Sequence, residues 1–165
     1  MGNDLLMNTT LIAYFSYTGA ARNMMTTVAM LTTGTPYLID PVAPYPQDYK
    51  QAVRRAQAEL TQKARPELKG APANLLDGFK KVVLIYPNWC GTLPPPVSTF
   101  LESYDFTGKE ILPICLHGGG GPGFGLKVIQ KTCPTAKVGT LLALEGRKIA
   151  DEFVEIQKWT RQMVY

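Results

Sequence analysis

Residues Lys81–Tyr86 read KVVLIY, pass directly into PNWCGTLPPP at Pro87–Pro96, and continue with Val97, Phe100, Leu101 and Tyr104 at helical spacing. An unbroken apolar run of this kind suits a parallel strand covered on both faces, which has no wet side to mark with alternating polar residues. Pro96 fits a first helical turn, where a missing N–H costs nothing. The segment is predicted as strand, loop and helix, with the strand central in a sheet.

The same unit repeats to either side. TLIAYF at Thr10–Phe15 is a short β-prone run, and Ala21, Met24, Met25, Val28 and Ala29 after it form one helical stripe. TPYLI at Thr35–Ile39 stops at Asp40-Pro41, and a connection through Pro44 and Pro46 leads to a second stripe of Tyr49, Ala52, Val53, Ala56 and Leu60. A linker at Arg65–Pro72 precedes the central strand. Beyond it, EILPICL at Glu110–Leu116 reads as a fourth strand, followed by HGGGGPGFG, a short helix at Leu126–Lys131 and a fifth strand at Lys137–Leu144. Ile149, Phe153, Ile156 and Met163 mark one face of a closing helix. Strands alternating with helices predict an α/β sandwich of right-handed βαβ units on a five-stranded parallel sheet.

Composition agrees with one globular domain over residues 1–165: 45% of the chain is apolar, 18% charged and 10% aromatic. The net charge of +4 is scattered, with no basic run, so a nucleic-acid arm is not indicated. Cys90, Cys115 and Cys133 lie far apart, and with the lone His117 they show no zinc-ligand spacing, so no metal site is expected. No apolar run reaches membrane-spanning length, and Met1–Asn8 lacks the pattern of a signal peptide. Met1-Gly2 is followed at position six by Leu6, where a myristoylation motif wants Ser or Thr. A cytoplasmic protein without membrane or nucleic-acid partners is expected.

In open parallel sheets ligands bind beyond the carboxyl ends of the strands, where strand order reverses. Three loops fall there, and they are the least ordinary pieces of the sequence: SYTGAAR at Ser16–Arg22, PNWCGT at Pro87–Thr92 and HGGGGPG at His117–Gly123. The first sets hydroxyls and unpaired N–H groups at a helix N-terminus, a place for an anion such as phosphate, or for a plain N-cap. Trp89 offers a flat face to a conjugated ring, or packs under its loop. The glycines let backbone donors approach a ring carbonyl closely, or serve as turns. His117 is a hydrogen-bond or proton carrier, or a structural histidine. Cys90 carries no visible cause of a lowered thiol pKa. Gly118, Gly120 and Gly123, with Glu145 downstream, match the letters of a dinucleotide fingerprint, but Pro122 interrupts it and the run follows the fourth strand. No GxSxG, HExxH or GxxxxGK[ST] pattern is present, so hydrolase and kinase chemistry has no support.

FSYTG at Phe15–Gly19, YPQDY at Tyr45–Tyr49, RPEL at Arg65–Leu68, YPNWCGTLPPPVSTFLESYDFTGK at Tyr86–Lys109 and the HGGGG loop together resemble the flavodoxin family, in particular its bacterial branch with a PxWWG-type loop. The resemblance implies a flavodoxin-like three-layer sandwich of strand order 2-1-3-4-5 that binds one FMN and transfers electrons. By that likeness Ser16, Tyr17, Thr18, Gly19, Ala20 and Ala21 would surround the phosphate. Pro87, Asn88, Trp89, Cys90 and Gly91 would line one side of the isoalloxazine, and His117, Gly118, Gly119, Gly120 and Gly121 its other edge. No single side chain need be catalytic, because the flavin carries the chemistry.

The chain departs from that pattern at Ala20 and Ala21 in the phosphate loop, at Cys90 where a second Trp is common, and at Leu116 and Gly120 where hydroxyl residues are common. One lost charge-assisted hydrogen bond is worth roughly 1.5–3 kcal/mol, or about ten- to a hundredfold in affinity. At +4 the chain also lacks the acidity usual in flavodoxins, and a positive field favours a reduced flavin anion. Electron transfer to an unidentified redox protein or small acceptor is the first expectation. An FMN-dependent NAD(P)H:acceptor reductase of quinone type and a non-redox binding module that has lost FMN are the alternatives.

Overall fold

β3 (Lys81–Pro87) lies between β1 (Thr10–Tyr14) and β4 (Glu110–His117), parallel to both. Every residue from Val82 to Tyr86 is buried, as the unbroken apolar run requires. β2 (Thr35–Leu38) pairs with the outer edge of β1, and β5 (Lys137–Val138) with the far edge of β4, giving the order β2-β1-β3-β4-β5. The computed structural model describes residues 9–165. The leader and acylation readings at Met1–Asn8 fall outside the described residues.

Alternate residues of the strands feed two cores. Ile12, Val83, Ile85 and Ile114 pack against Met24 and Val28 of α1 (Ala20–Thr32) and Ile156 and Trp159 of α5 (Phe153–Met163). Leu11, Val82, Leu84 and Tyr86 pack against Val97 and Phe100 of α3 (Pro95–Ser103) and Ile129 of α4 (Gly125–Thr132). α2 (Tyr49–Thr61) packs beside α3. Asp48 caps it, its carboxylate accepting from Gln51 N–H at 2.9 Å. The result is the flavodoxin-like three-layer sandwich. Among the described residues no helix is long and apolar enough to cross a membrane.

The expected fifth strand is two strands, so the sheet has six. β6 (Leu142–Glu145) follows β5 after a break, and both run along the same edge of β4. Ile111 faces Val138 and Ile114 faces Leu142, so three steps along β4 match four on its neighbour, which is a one-residue bulge. Pro113 accounts for its position. Lys109, Ile111 and His117 turn their carbonyls to this edge, accepting from Lys137, Gly139 and Gly146 N–H at 2.9, 2.8 and 2.9 Å. In that alternation Pro113 faces the same edge with a nitrogen that carries no hydrogen. The bulge hands its Thr140 carbonyl to the indole N–H of Trp159 at 2.8 Å.

The closing helix also differs from expectation. Ile149–Glu152 form a 3₁₀ turn ahead of α5, and Phe153 is exposed. Ile156, Trp159 and Thr160 make the buried face instead.

Burial raises several acidic groups of the core. The Cys115 thiol is pushed up to about 12 and that of Cys133 to about 11, and burial raises the Tyr86 hydroxyl as well. These groups stay protonated in the folded chain at pH values where they ionise in the unfolded one, so the folded state binds more protons there. Stability is therefore full below the ordinary thiol range and falls as pH climbs through the folded values. Denaturant midpoints measured from pH 8 to 11 are expected to decline steadily, about 1.4 kcal/mol being lost per group per pH unit inside its window. A flat profile over that range would contradict the assignment.

Candidate functional site

The strands end in a staggered row, β1 opposite Ile85 and β3, β4 and β6 two or three residues further along, and the loops after β1, β3 and β6 each begin with a hydrogen bond to the neighbouring strand. Phe15 N–H donates to Ile85 O at 3.1 Å, Asn88 N–H to Leu116 O at 2.8 Å and Gly146 N–H to His117 O at 2.9 Å. Between these loops lies a cleft of about 550 Å3, within the usual range for small-ligand sites. Tyr17, Thr18, Ala20 and Ala21 form one wall, Pro87, Asn88 and Trp89 a second, and Leu116, His117 and Gly118 a third. The three loops chosen from sequence thus meet on one cavity.

In the first loop, Ser16 is turned on its own chain: its Oγ accepts from Gly19 N–H at 3.1 Å and from Arg22 N–H at 3.4 Å. Gly19 supplies the left-handed turn into α1, at φ 95°. Asn23 N–H makes the first backbone bond of the helix, to Gly19 O at 3.0 Å. The N–H groups of Ala20 and Ala21 meet no acceptor among the described residues, and both residues line the cleft. They are the orphan donors of a helix N-terminus, aimed where the helix dipole is positive.

The second loop is a tight turn in which Trp89 N–H donates to Thr92 O at 3.0 Å and Thr92 N–H to Trp89 O at 2.9 Å. Its central residues, Cys90 and Gly91, have φ of 52° and 80°, the left-handed pair that such a two-residue turn demands. Cys90 occupies a conformation unusual for a residue with a side chain. Burial pushes its thiol up, so it is no activated nucleophile. Trp89 stands edge-on to Phe15, Tyr17 and Tyr45, with ring centroids 5.1, 5.5 and 4.8 Å away. Tyr17 is fixed in turn, its hydroxyl donating to Pro46 O at 2.6 Å. The Arg55 guanidinium covers Tyr45 at 4.0 Å and donates to the carbonyls of Ala43 and Pro44. Trp89 is therefore both packed among neighbouring rings and part of the cleft wall.

The third loop hangs on His117. Its Nδ1 accepts from Gly119 N–H at 3.1 Å and Gly121 N–H at 3.3 Å, so Nδ1 is unprotonated and Nε2 carries the hydrogen. Asn88 ties this loop to the second by donating from Nδ2 to Gly121 O at 3.0 Å, and Phe124 N–H donates to Gly91 O at 2.7 Å. Gly119, Gly120 and Gly121 belong to the loop His117 holds but are not cleft-lining residues, and Gly91 is a turn residue. Cys90 lines a neighbouring cavity rather than the cleft.

Four lining residues stand outside the expected set: Tyr49 at the start of α2, Leu116 near the end of β4, and Gly146 and Arg147 after β6. The rule that ligands gather at strand carboxyl ends applies equally to the loop after the last strand, which was the available signal. Arg22 is exposed and absent from the wall, so the cation beside the cleft is Arg147.

The sequence profile of the flavodoxin family matches residues 9–163. The chain belongs to the flavodoxin family. Among solved structures, it is similar to a candidate flavoprotein from Bacteroides eggerthii, at 27% identity and a TM-score of 0.81, over 95% of this chain and 98% of that one. A candidate flavoprotein from Bacteroides uniformis matches at 27% identity and a TM-score of 0.78, covering 93% of this chain and 98% of its own. A flavoprotein in complex with FMN from Lactobacillus acidophilus shares the fold at 16% identity and a TM-score of 0.67, over 88% of this chain and 98% of that one. No curated protein matches the flavodoxin chain in sequence.

A Cβ on Gly123 would collide with Gly91 O and stand 3.0 Å from Asn88 Oδ1, at a φ of 61°. Gly123→Ala must push the second and third loops of this flavodoxin apart. Urea unfolding is expected to show a loss of about 2–4 kcal/mol. An unchanged midpoint would mean that the two loops are not locked together here.

Proposed function

We propose that this flavodoxin binds FMN noncovalently in the cleft and acts in electron transfer. The observation that carries the reading is the pair of unmet N–H donors at Ala20 and Ala21, two residues of the cleft wall at the positive end of α1. The residues present fit the group. Thr18 and the backbone of Ala20 and Ala21 would hold the phosphate, with Ser16 and Gly19 shaping their loop. Pro87, Asn88 and Trp89 would flank the ring, with Cys90 and Gly91 turning the chain behind it. His117 and Gly118 would meet its other edge, and Gly119–Gly121 would complete that loop.

A bound flavin supplies one- and two-electron redox chemistry, and the protein's part is binding, orientation and control of charge. The aromatic pedestal under Trp89 fixes one wall, and Nδ1 of His117 holds the opposite loop. Arg147 adds positive charge at the wall, which complements a phosphate or a reduced ring. Ala20 and Ala21 bring no side-chain hydroxyl, so backbone donors and Arg147 must do what those groups would otherwise share. The whole chain is read as one flavodoxin-like domain whose partner is a redox protein or small acceptor. The three cysteines are unpaired, which suits a reducing compartment, and we place the protein in the cytoplasm.

Titration of apoprotein with FMN, followed by visible absorbance and flavin fluorescence, tests this. Saturable binding is expected, with riboflavin at least tenfold weaker because it lacks the anion that α1 favours. A folded protein that ignores FMN would support the non-redox module instead. Equal affinity for the two flavins would remove the phosphate from the α1 terminus.

A further inference from the structure

A second cavity, of about 240 Å3, adjoins the cleft and shares Tyr17, Tyr49, Asn88 and Trp89 with it. Its remaining wall is the face of α2 formed by Ala52, Val53, Ala56 and Gln57, together with Cys90. Ala52 and Ala56 are one helical turn apart and both buried, so the floor is low and smooth. Tyr49 forms the outer edge and is 72% exposed, a large ring left in water beside an apolar hollow. No residue lining this groove carries a formal charge. Gln57 sets an amide at its rim.

Size and chemistry limit what fits. An apolar cavity of roughly 150 Å3 holds benzene, and drug-sized ligands fill about 300 Å3 or more, so this groove takes one or two fused rings. A charged ligand would surrender its hydration with no counter-charge to meet it. We propose that the groove is a binding site for a small, planar, uncharged aromatic carbonyl compound of one or two rings, its ring against Trp89 and the alanine floor and its carbonyl at Gln57. Use of that site for an electron acceptor beside the flavin rests on the function proposed above. The ligand class rests on the groove's own walls.

The probe is a dimethyl-naphthoquinone methylated at both carbons open to thiol addition, so that Cys90 cannot be arylated. Amide spectra of the full chain, recorded with and without FMN, should show saturable shifts at Ala52, Val53, Ala56, Gln57 and Cys90. Gln57→Trp, at an exposed helix position, should weaken the probe by about tenfold or more while FMN affinity is kept within about twofold, and Gln57→Ala should leave room for the ring and bind it better than the Trp variant. A sulfonated naphthoquinone should bind at least about tenfold more weakly. Shifts confined to His117, Gly118, Gly146 and Arg147, no shifts at all, or indifference to Gln57→Trp would each overturn the groove site. Silence on α2 in a protein that binds FMN rejects the groove and leaves the cofactor reading standing. Saturable α2 shifts in a protein that rejects FMN support the groove and reject the cofactor reading.

Discussion

Three backbone hydrogen bonds at the carboxyl edge of the sheet set the height of everything around the cleft. Phe15 to Ile85, Asn88 to Leu116 and Gly146 to His117 each extend a strand pair by one bond before the chain turns away. The register behind them is held by β3, which has five consecutive buried residues and cannot slide without exposing some of them. Because the strands are locked in this way, each loop leaves its strand at a fixed height, β1 two or three residues short of β3, β4 and β6. The cleft is the space between those loops, and its walls inherit their rigidity from the sheet.

The loops are braced against one another rather than left to find their places. Asn88 and Phe124 bind the second loop to the third, Nδ1 of His117 gathers two amides of the third, and Tyr17 is anchored on the connection before α2. Trp89 is surrounded edge-on by three rings, so its position costs little entropy to maintain. The positive-φ turn at Cys90 and Gly91 aims it. A wall prepared in this way can bind a flat ligand without paying to order itself first.

Much of this was legible in the residues, for physical reasons that also mark the limits. Five buried positions in a row announce β3, and the helical stripes of α1 and α3 follow from the same need for cover. Pro113 was visible in EILPICL, but the edge that its nitrogen faces depends on the ladder, so the bulge and the split into β5 and β6 were not. Phe153 fits the helical period on paper, yet a 3₁₀ turn ahead of it rotates the face and Trp159 takes the buried place. The three loops were found because unusual composition coincided with strand ends. Arg147 and Tyr49 were missed because single residues in ordinary surroundings carry no such mark. His117 stood out as the lone histidine, but its grip on Gly119 and Gly121 depends on ring orientation, which only the fold decides.

The function proposed above requires the start of α1 to receive an anionic group through backbone donors in place of missing side-chain hydroxyls. Amide resonances of Ala20 and Ala21, compared between the FMN-saturated and riboflavin-saturated protein, address it most directly. The expected result is a downfield proton shift at both positions with FMN only, as their N–H groups gain a charged acceptor. Identical resonances in the two saturated forms would mean that the phosphate does not sit at the start of α1.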